Sequence, residues 1–203
     1  MSIIFSCAKA YEKLLDVEYQ IILGKKNKQI NFSIFFTANH FIHLAGFQHL
    51  KDKNTVLSGE RDKIFEKILK DENYSNQFET SVFYSQIKER IEYLSFLESI
   101  MDSNKTIFKY NPQIQVFSAI QADFLLKNEI ESINVFTFLA KDNTNGKYFC
   151  RSFFPQTNID YSQRQASWTL LFKKKINKKT KEEIILFNKI NPNMVADSKK
   201  CYI

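Results

Sequence analysis

His40, His43 and His49 fall within ten residues, and the chain has no other histidine. Imidazole moves protons near neutral pH better than any other side chain, so the stretch from Ala38 to Leu50 is the first place to look for chemistry. Each helical residue advances about 100°. On one helix, His40 and His43 then lie close together while His49 points away from His40. A metal site on His40 and His43 needs a carboxylate or thiolate from elsewhere, and none stands at a ligand spacing. His43 shares its projected face with Phe47 and Leu50. Two readings follow: a core histidine with one hydrogen bond, or a general base or acid in a half-buried pocket.

Arginine is scarce, with 25 Lys against four Arg, namely Arg61, Arg90, Arg151 and Arg164. Where Lys is so preferred, a retained Arg suggests a need for bidentate geometry toward phosphate or carboxylate. For Arg90, an ordinary ion pair is the competing reading. The formal charge is +7, and it is uneven: residues 141–203 carry 13 basic and 5 acidic side chains, while residues 1–140 carry 16 and 17. Localised positive charge marks either a phosphate-binding face or a solvated lysine-rich surface. The second half also supplies Asp123, Arg151, Ser152, Tyr161, Gln165 and the run Lys173, Lys174, Lys175. Strand alternation sends Arg151 and Ser152 to opposite faces.

No P-loop, G-x-G-x-x-G, G-x-S-x-G or H-E-x-x-H motif is present, and no acidic cluster suits a two-metal nuclease. Nucleotide triphosphate hydrolysis, dinucleotide chemistry and zinc proteolysis lose support, and no cofactor is expected. Cys7, Cys150 and Cys201 are odd in number and lack metal-ligand spacing, which reads as free thiols. Neither a signal peptide nor a bilayer-length apolar run is seen, so a cytoplasmic location without membrane contact is expected.

Hydrophobic periodicity divides the chain in two within one expected domain, residues 1–203. Residues 1–104 read as mainly helical. Ile4, Phe5, Ala8, Tyr11, Leu14 and Leu15 predict a helix over 2–18. A hairpin follows over 19–36, turning at Gly24–Asn27. Thr37 or Asn39 caps a short helix that Gly46 ends. Two more helices are predicted over 60–72 and 79–102, the second with the stripe Phe83, Ile87, Ile91, Leu94, Leu97 and Met101. Residues 105–176 predict strands over 105–110, 121–127, 133–140, 147–154 and 167–176, with a turn at Asn143–Gly146. Residues 177–203 predict a basic tail with a helix near 180–189. The expected class is α+β, with N-terminal helices packed on a C-terminal antiparallel meander sheet.

A longer order of motifs runs through these elements: Phe41-Ile42-His43-Leu44-Ala45-Gly46-Phe47, then Arg90 within Ile87–Leu94, then Ala122-Asp123-Phe124, Tyr148–Phe154 containing Arg151 and Ser152, and Tyr161–Gln165. In order and spacing this resembles a phage-associated family of nucleases in the barnase–EndoU–colicin–RelE superfamily, from about residue 5 to about 176. The resemblance implies helices followed by an antiparallel sheet, and a metal-independent ribonuclease of toxin or phage-conflict type. It implies His43 in the active site and matches Arg90, Ser152, Tyr161 and Gln165 to the other polar motif positions.

The expected function is an endoribonuclease whose RNA substrate cleaves itself by 2′-OH attack, leaving a 2′,3′-cyclic phosphate. His43 would transfer protons, Arg90 and Arg151 would stabilise charge on phosphorus, and Tyr161 would donate a proton or stack on a base. Ser152 and Gln165 would orient the phosphate or read a base, and Lys173, Lys174 and Lys175 would hold the RNA backbone. An antitoxin or inhibitor protein is a compatible partner. The alternative is a non-catalytic phage or mobile-element protein that binds and inhibits a host defence complex.

Overall fold

The computed structural model describes residues 1–103, 106–114 and 118–191. It opens with helix α1 (Ile3–Glu12), started by Ser2, whose hydroxyl accepts from the Phe5 N–H at 3.2 Å. Ile4, Cys7, Ala8 and Tyr11 recur at three and four and form its buried face. The helix stops well short of residue 18. A tight turn over Lys13–Asp16 leads into strand β1 (Val17–Lys25), where Val17, Tyr19, Ile21 and Leu23 alternate inward. Period two wins over period 3.6 there because β-branched and aromatic residues fill alternate positions.

Strand β2 (Lys28–Phe35) completes the hairpin. Helix α2 (Ala38–Leu44) follows, with Thr37 before it and Gly46 after it at φ +83°. Helices α3 (Arg61–Lys70) and α4 (Glu72–Glu79) are separated by Asp71, whose carboxylate caps α4 by accepting from the Asn73 N–H at 2.8 Å. The stretch read as one helix over 79–102 is two, α5 (Ser85–Leu94) and α6 (Leu97–Ser103). α1 packs against each of the other five helices. Tyr11, Phe41, Phe47, Phe65 and Phe78 fill the space between them with edge-on and tilted rings.

The second half supplies β3 (Thr106–Lys109), β4 (Phe124–Ile130), β5 (Ile133–Lys141), β6 (Tyr148–Pro155), β7 (Ala166–Asn177) and β8 (Glu183–Asn188). The predicted meander is corrected here. The strands run in the order β1–β2–β6–β5–β4–β3–β7, and β7 pairs back onto β1, which closes a seven-stranded barrel. The barrel is mixed: β2 and β6 are parallel, meeting at Ile34 and Tyr148, and the other pairings are antiparallel. The N-terminal hairpin, expected within the mainly helical half, is therefore part of the sheet. Closure follows from the length of β7. One edge serves β3 at Ala166–Thr169 and β8 at Phe172–Ile176, and the other edge accepts β1 along its length. Closure pairs the edges of the seven barrel strands, and β8 is left as the outer edge of the sheet.

The interior is aromatic. Phe32 of β2 stacks on Phe124 of β4 at 4.7 Å, across strands that are not neighbours, with Tyr148 against both. At one point backbone and side chain meet closely: Leu171 is skipped in the β1–β7 register and leans on Gly24, where a Cβ would come within 2.7 Å of Leu171 Cδ1. The expected helix near 180–189 is instead strand β8, hydrogen-bonded to β7. Ile184, Ile185, Leu186 and Phe187 suit a strand, and a turn from Asn177 to Lys181 reverses the chain. Residues 192–203 of the predicted tail, with Cys201, lie outside the described residues.

Candidate active site

β6 is the element on which the site is built, and α2 and α5 pack against it. Its register against β5 slips by one residue: Phe138 faces Ser152 and Leu139 faces Cys150, so Arg151 is the extra residue of a bulge. Cys150 and Phe153 both enter the main core, a spacing of three that regular alternation forbids. Arg151 and Ser152 between them both escape the core. The bulge interrupts the strict alternation on which the expectation of opposite faces rests.

A cleft of about 380 Å³ opens where these elements meet. It is lined by His43 of α2, by Gln48 and His49 beyond Gly46, by Ser85, Gln86, Glu89 and Arg90 of α5, by Ser152 and Phe154 of β6, and by Thr157 and Tyr161 after it. His43, Arg90, Ser152 and Tyr161 thus share one cavity. His49 joins them because α2 ends at Gly46 and the left-handed turn re-aims the chain, so the single-helix projection does not apply.

The cleft is held from beneath by a second apolar cluster, Tyr110, Leu125, Phe136 and Phe138. Tyr161 packs edge-on against Phe136, Phe138 and Phe154 at 5.4–5.7 Å between ring centres. The Arg90 guanidinium lies 5.7 Å above the Phe154 ring. Gly46 makes room for it: a Cβ there would meet Arg90 Nη1 at 3.0 Å and Arg90 Cδ at 3.2 Å.

Electrostatically the cleft holds Arg90 without an ion pair, with the Glu89 carboxylate also in its wall. Arg90 is half-buried, and burial lowers its pKa. Among the described residues, the side-chain ion pairs all use lysine, and none of Arg61, Arg90 and Arg151 pairs with a carboxylate. A half-buried cation without a partner is costly to keep. His43 is half-buried, and its pKa is lowered by that burial and then by Arg151, Arg61 and Arg90, while a hydrogen bond to the Arg151 backbone acts the other way. His43 is therefore neutral at physiological pH. His49 is lowered by desolvation, Arg90 and Lys51.

A smaller cleft of about 190 Å³ lies on the other side of His43, lined by His40, His43, Arg61, Phe149, Cys150 and Arg151. His40 stacks on Phe149 at 4.6 Å and 16°, its Nδ1 lies 3.2 Å from the Thr37 hydroxyl, and desolvation is the main cause that pushes its pKa down to about 4. Cys150 is buried, and burial raises its thiol pKa to about 12.

The remaining expected residues stand elsewhere. Gln165 is buried and clamps the backbone of Asn111, accepting from its N–H at 2.8 Å and donating to its carbonyl at 3.1 Å. Lys173 is 1% exposed and donates to the Met101 carbonyl at 2.7 Å, which removes it from any RNA backbone in this conformation. Lys175 pairs with Glu98 and Asp102 of α6, and Lys174 pairs with Glu183. Arg61 and His49 line these clefts without having been among the expected site residues. Their signals were the scarcity of arginine and the single histidine cluster.

Among the described residues no three His, Cys, Asp or Glu side chains gather where they could hold a metal ion. No described helix is long and apolar enough to cross a membrane. What the larger cleft offers is an imidazole suited to proton transfer beside one guanidinium, Arg90, that makes no ion pair and could hold phosphate oxygens. The chain belongs to the phage-Barnase-EndoU-ColicinE5/D-RelE like nuclease 4 family (PBECR4), whose model matches residues 3–189. No curated protein and no solved structure matches the chain.

Proposed function

We propose that this member of the nuclease family is an endoribonuclease that needs no metal and works in the larger cleft. The observation that carries the reading is the convergence of neutral His43 and unpaired Arg90 on one cavity, with Ser152 and Tyr161 beside them. The 2′-OH gives its proton to the free ring nitrogen of His43. The 2′ oxygen bonds to phosphorus and the bond from phosphorus to the 5′ oxygen breaks. Arg90 holds the non-bridging oxygens as their charge grows, and Ser152 orients them. Tyr161 donates its hydroxyl proton to the leaving 5′ oxygen. The products are a 2′,3′-cyclic phosphate and a 5′-OH. A role as a toxin or phage-conflict effector in the cytoplasm, opposed by an inhibitor protein, is consistent with the phage association of the family.

The test is incubation of the protein and its His43→Ala variant with total RNA in EDTA, followed by mapping of ends. Cyclic ends that vanish in the variant support the proposal, because a general base contributes about 10²–10⁴ in rate. Undiminished cleavage by the variant removes the mechanism. No cleavage of any RNA moves the weight to a non-catalytic binding protein.

A further inference from the structure

We propose that the smaller cleft beyond His43 is a second phosphodiester subsite, which takes the phosphate next to the reacting one on the same RNA strand. The assignment of the neighbouring phosphate rests on the nuclease reading above; the assignment of a phosphate site does not.

Two arginines from distant parts of the chain meet in this cleft. Arg61 is the first residue of α3, and Arg151 is the bulged residue of β6. Neither guanidinium makes a hydrogen bond or an ion pair with another described residue. A shortage of acids does not explain this, since lysines all over the surface find carboxylates. The acid near His40 is Asp142, and its oxygens accept instead from Thr144 and from the Asn145 amide at 2.7–2.9 Å. Both arginines act on His40 and His43 through space, so their fields overlap in the cavity.

Paired guanidinium forks match the oxygens of a phosphodiester. The rest of the wall is neutral and flat: His40 is uncharged at neutral pH and stacked on Phe149. His43 lines both clefts, so one imidazole separates the two sites. A strand passing over His43 sets one phosphate before Arg90 and the next before Arg61 and Arg151.

The experiment uses DNA oligonucleotides, which lack the 2′-OH and therefore report binding without cleavage. A dinucleotide carries one phosphate and a trinucleotide two. Affinities are measured by calorimetry for the wild type, Arg61→Ala and Arg61→Lys, with circular dichroism to verify folding of these exposed-site variants. The expected result is that Arg61→Ala weakens the trinucleotide about tenfold, leaves the dinucleotide unchanged and lowers the salt slope by about one. Arg61→Lys should fall between, since it keeps the charge and loses the fork. Equal weakening of both probes would assign Arg61 to the reacting phosphate and overturn a separate subsite, as would no weakening of either. Wild-type protein that cuts no RNA yet keeps the Arg61-dependent preference for two phosphates would sink the nuclease reading and leave the phosphate site standing.

Discussion

Replacing Arg90 with methionine should stabilise the protein while disabling the cleft. Arg90 is half-buried beside Ile87 and Gly46 and has no carboxylate partner among the described residues. Full burial of an unpaired ion costs several kcal/mol, and a half-buried one keeps part of its hydration, so its cost is about 2 kcal/mol. The cation–π contact with Phe154 at 5.7 Å returns about 0.5–1 kcal/mol. Methionine retains most of the stem volume, so no large cavity opens. The net gain is about 1 kcal/mol, or about 2–4 °C in Tm for a chain of this size. Loss of one donor to the developing charge lowers kcat by about 10²–10³. Thermal unfolding and single-turnover RNA cleavage read the two effects separately. Sulfate should raise the Tm of the wild type more than that of the variant, because the anion supplies the missing counter-ion. A variant less stable than the wild type by 1 kcal/mol or more would show that Arg90 is structurally paired, and the reasoning would fall.

Gly46→Ala should cost about 1–3 kcal/mol, since φ +83° is strained for any L side chain; the new Cβ also pushes on Arg90, so cleavage should fall with stability in urea titrations and kinetic assays. His40 should make the fold acid-sensitive. Its folded pKa, about 4, lies below the ordinary 6.5, so the unfolded chain binds the proton first. Its share of stability is complete above pH 6.5 and shrinks by about 3 kcal/mol as pH falls to 4; denaturation of His40→Phe at pH 7.5 and 4.5 should show a smaller loss than the wild type. Since His43 must be neutral to act as a base, the acid limb of kcat/KM should lie below pH 6.5, and Arg151→Gln should move it upward by removing a charge that depresses it. Lys173→Ala should destabilise by about 2–4 kcal/mol, by stranding the Met101 carbonyl and opening space, whereas Lys174→Ala should change stability by under about 0.5 kcal/mol.

Local chemistry made much of the element layout legible. Thr37 and Gly46 bracket α2 as read, and the strands from β3 to β7 fall close to their expected places. What could not be read is which strand lies beside which. β1 meets β7 and β2 meets β6 across most of the chain, and hydrophobic alternation in Val17, Tyr19, Ile21 and Leu23 states only that one face is buried. An α+β meander and a closed barrel demand the same alternation, so the pattern alone could not separate them. β8 was misread as helix because its apolar run is too short for its periodicity to decide.

The same closure explains which candidate residues come together. His43, Arg90, Ser152 and Tyr161 belong to motifs whose order along the chain is kept in space, because α2, α5 and β6 are adjacent layers. Lys173–Lys175 were inferred from a run of charge. On a strand, such a run must divide between two faces. In a barrel, one of those faces is always enclosed. Lys173 and Lys175 share the face of their partners Ile21 and Tyr19, and α6 receives them with the Met101 carbonyl, Glu98 and Asp102. The converse holds at Arg151. A single bulged residue breaks the alternation and brings two polar neighbours out of the core, one into each cleft that His43 lines. Charge counted along the sequence therefore does not say which lysines a closed sheet leaves open to a ligand, and the register slip at Arg151 is where polar side chains leave the core.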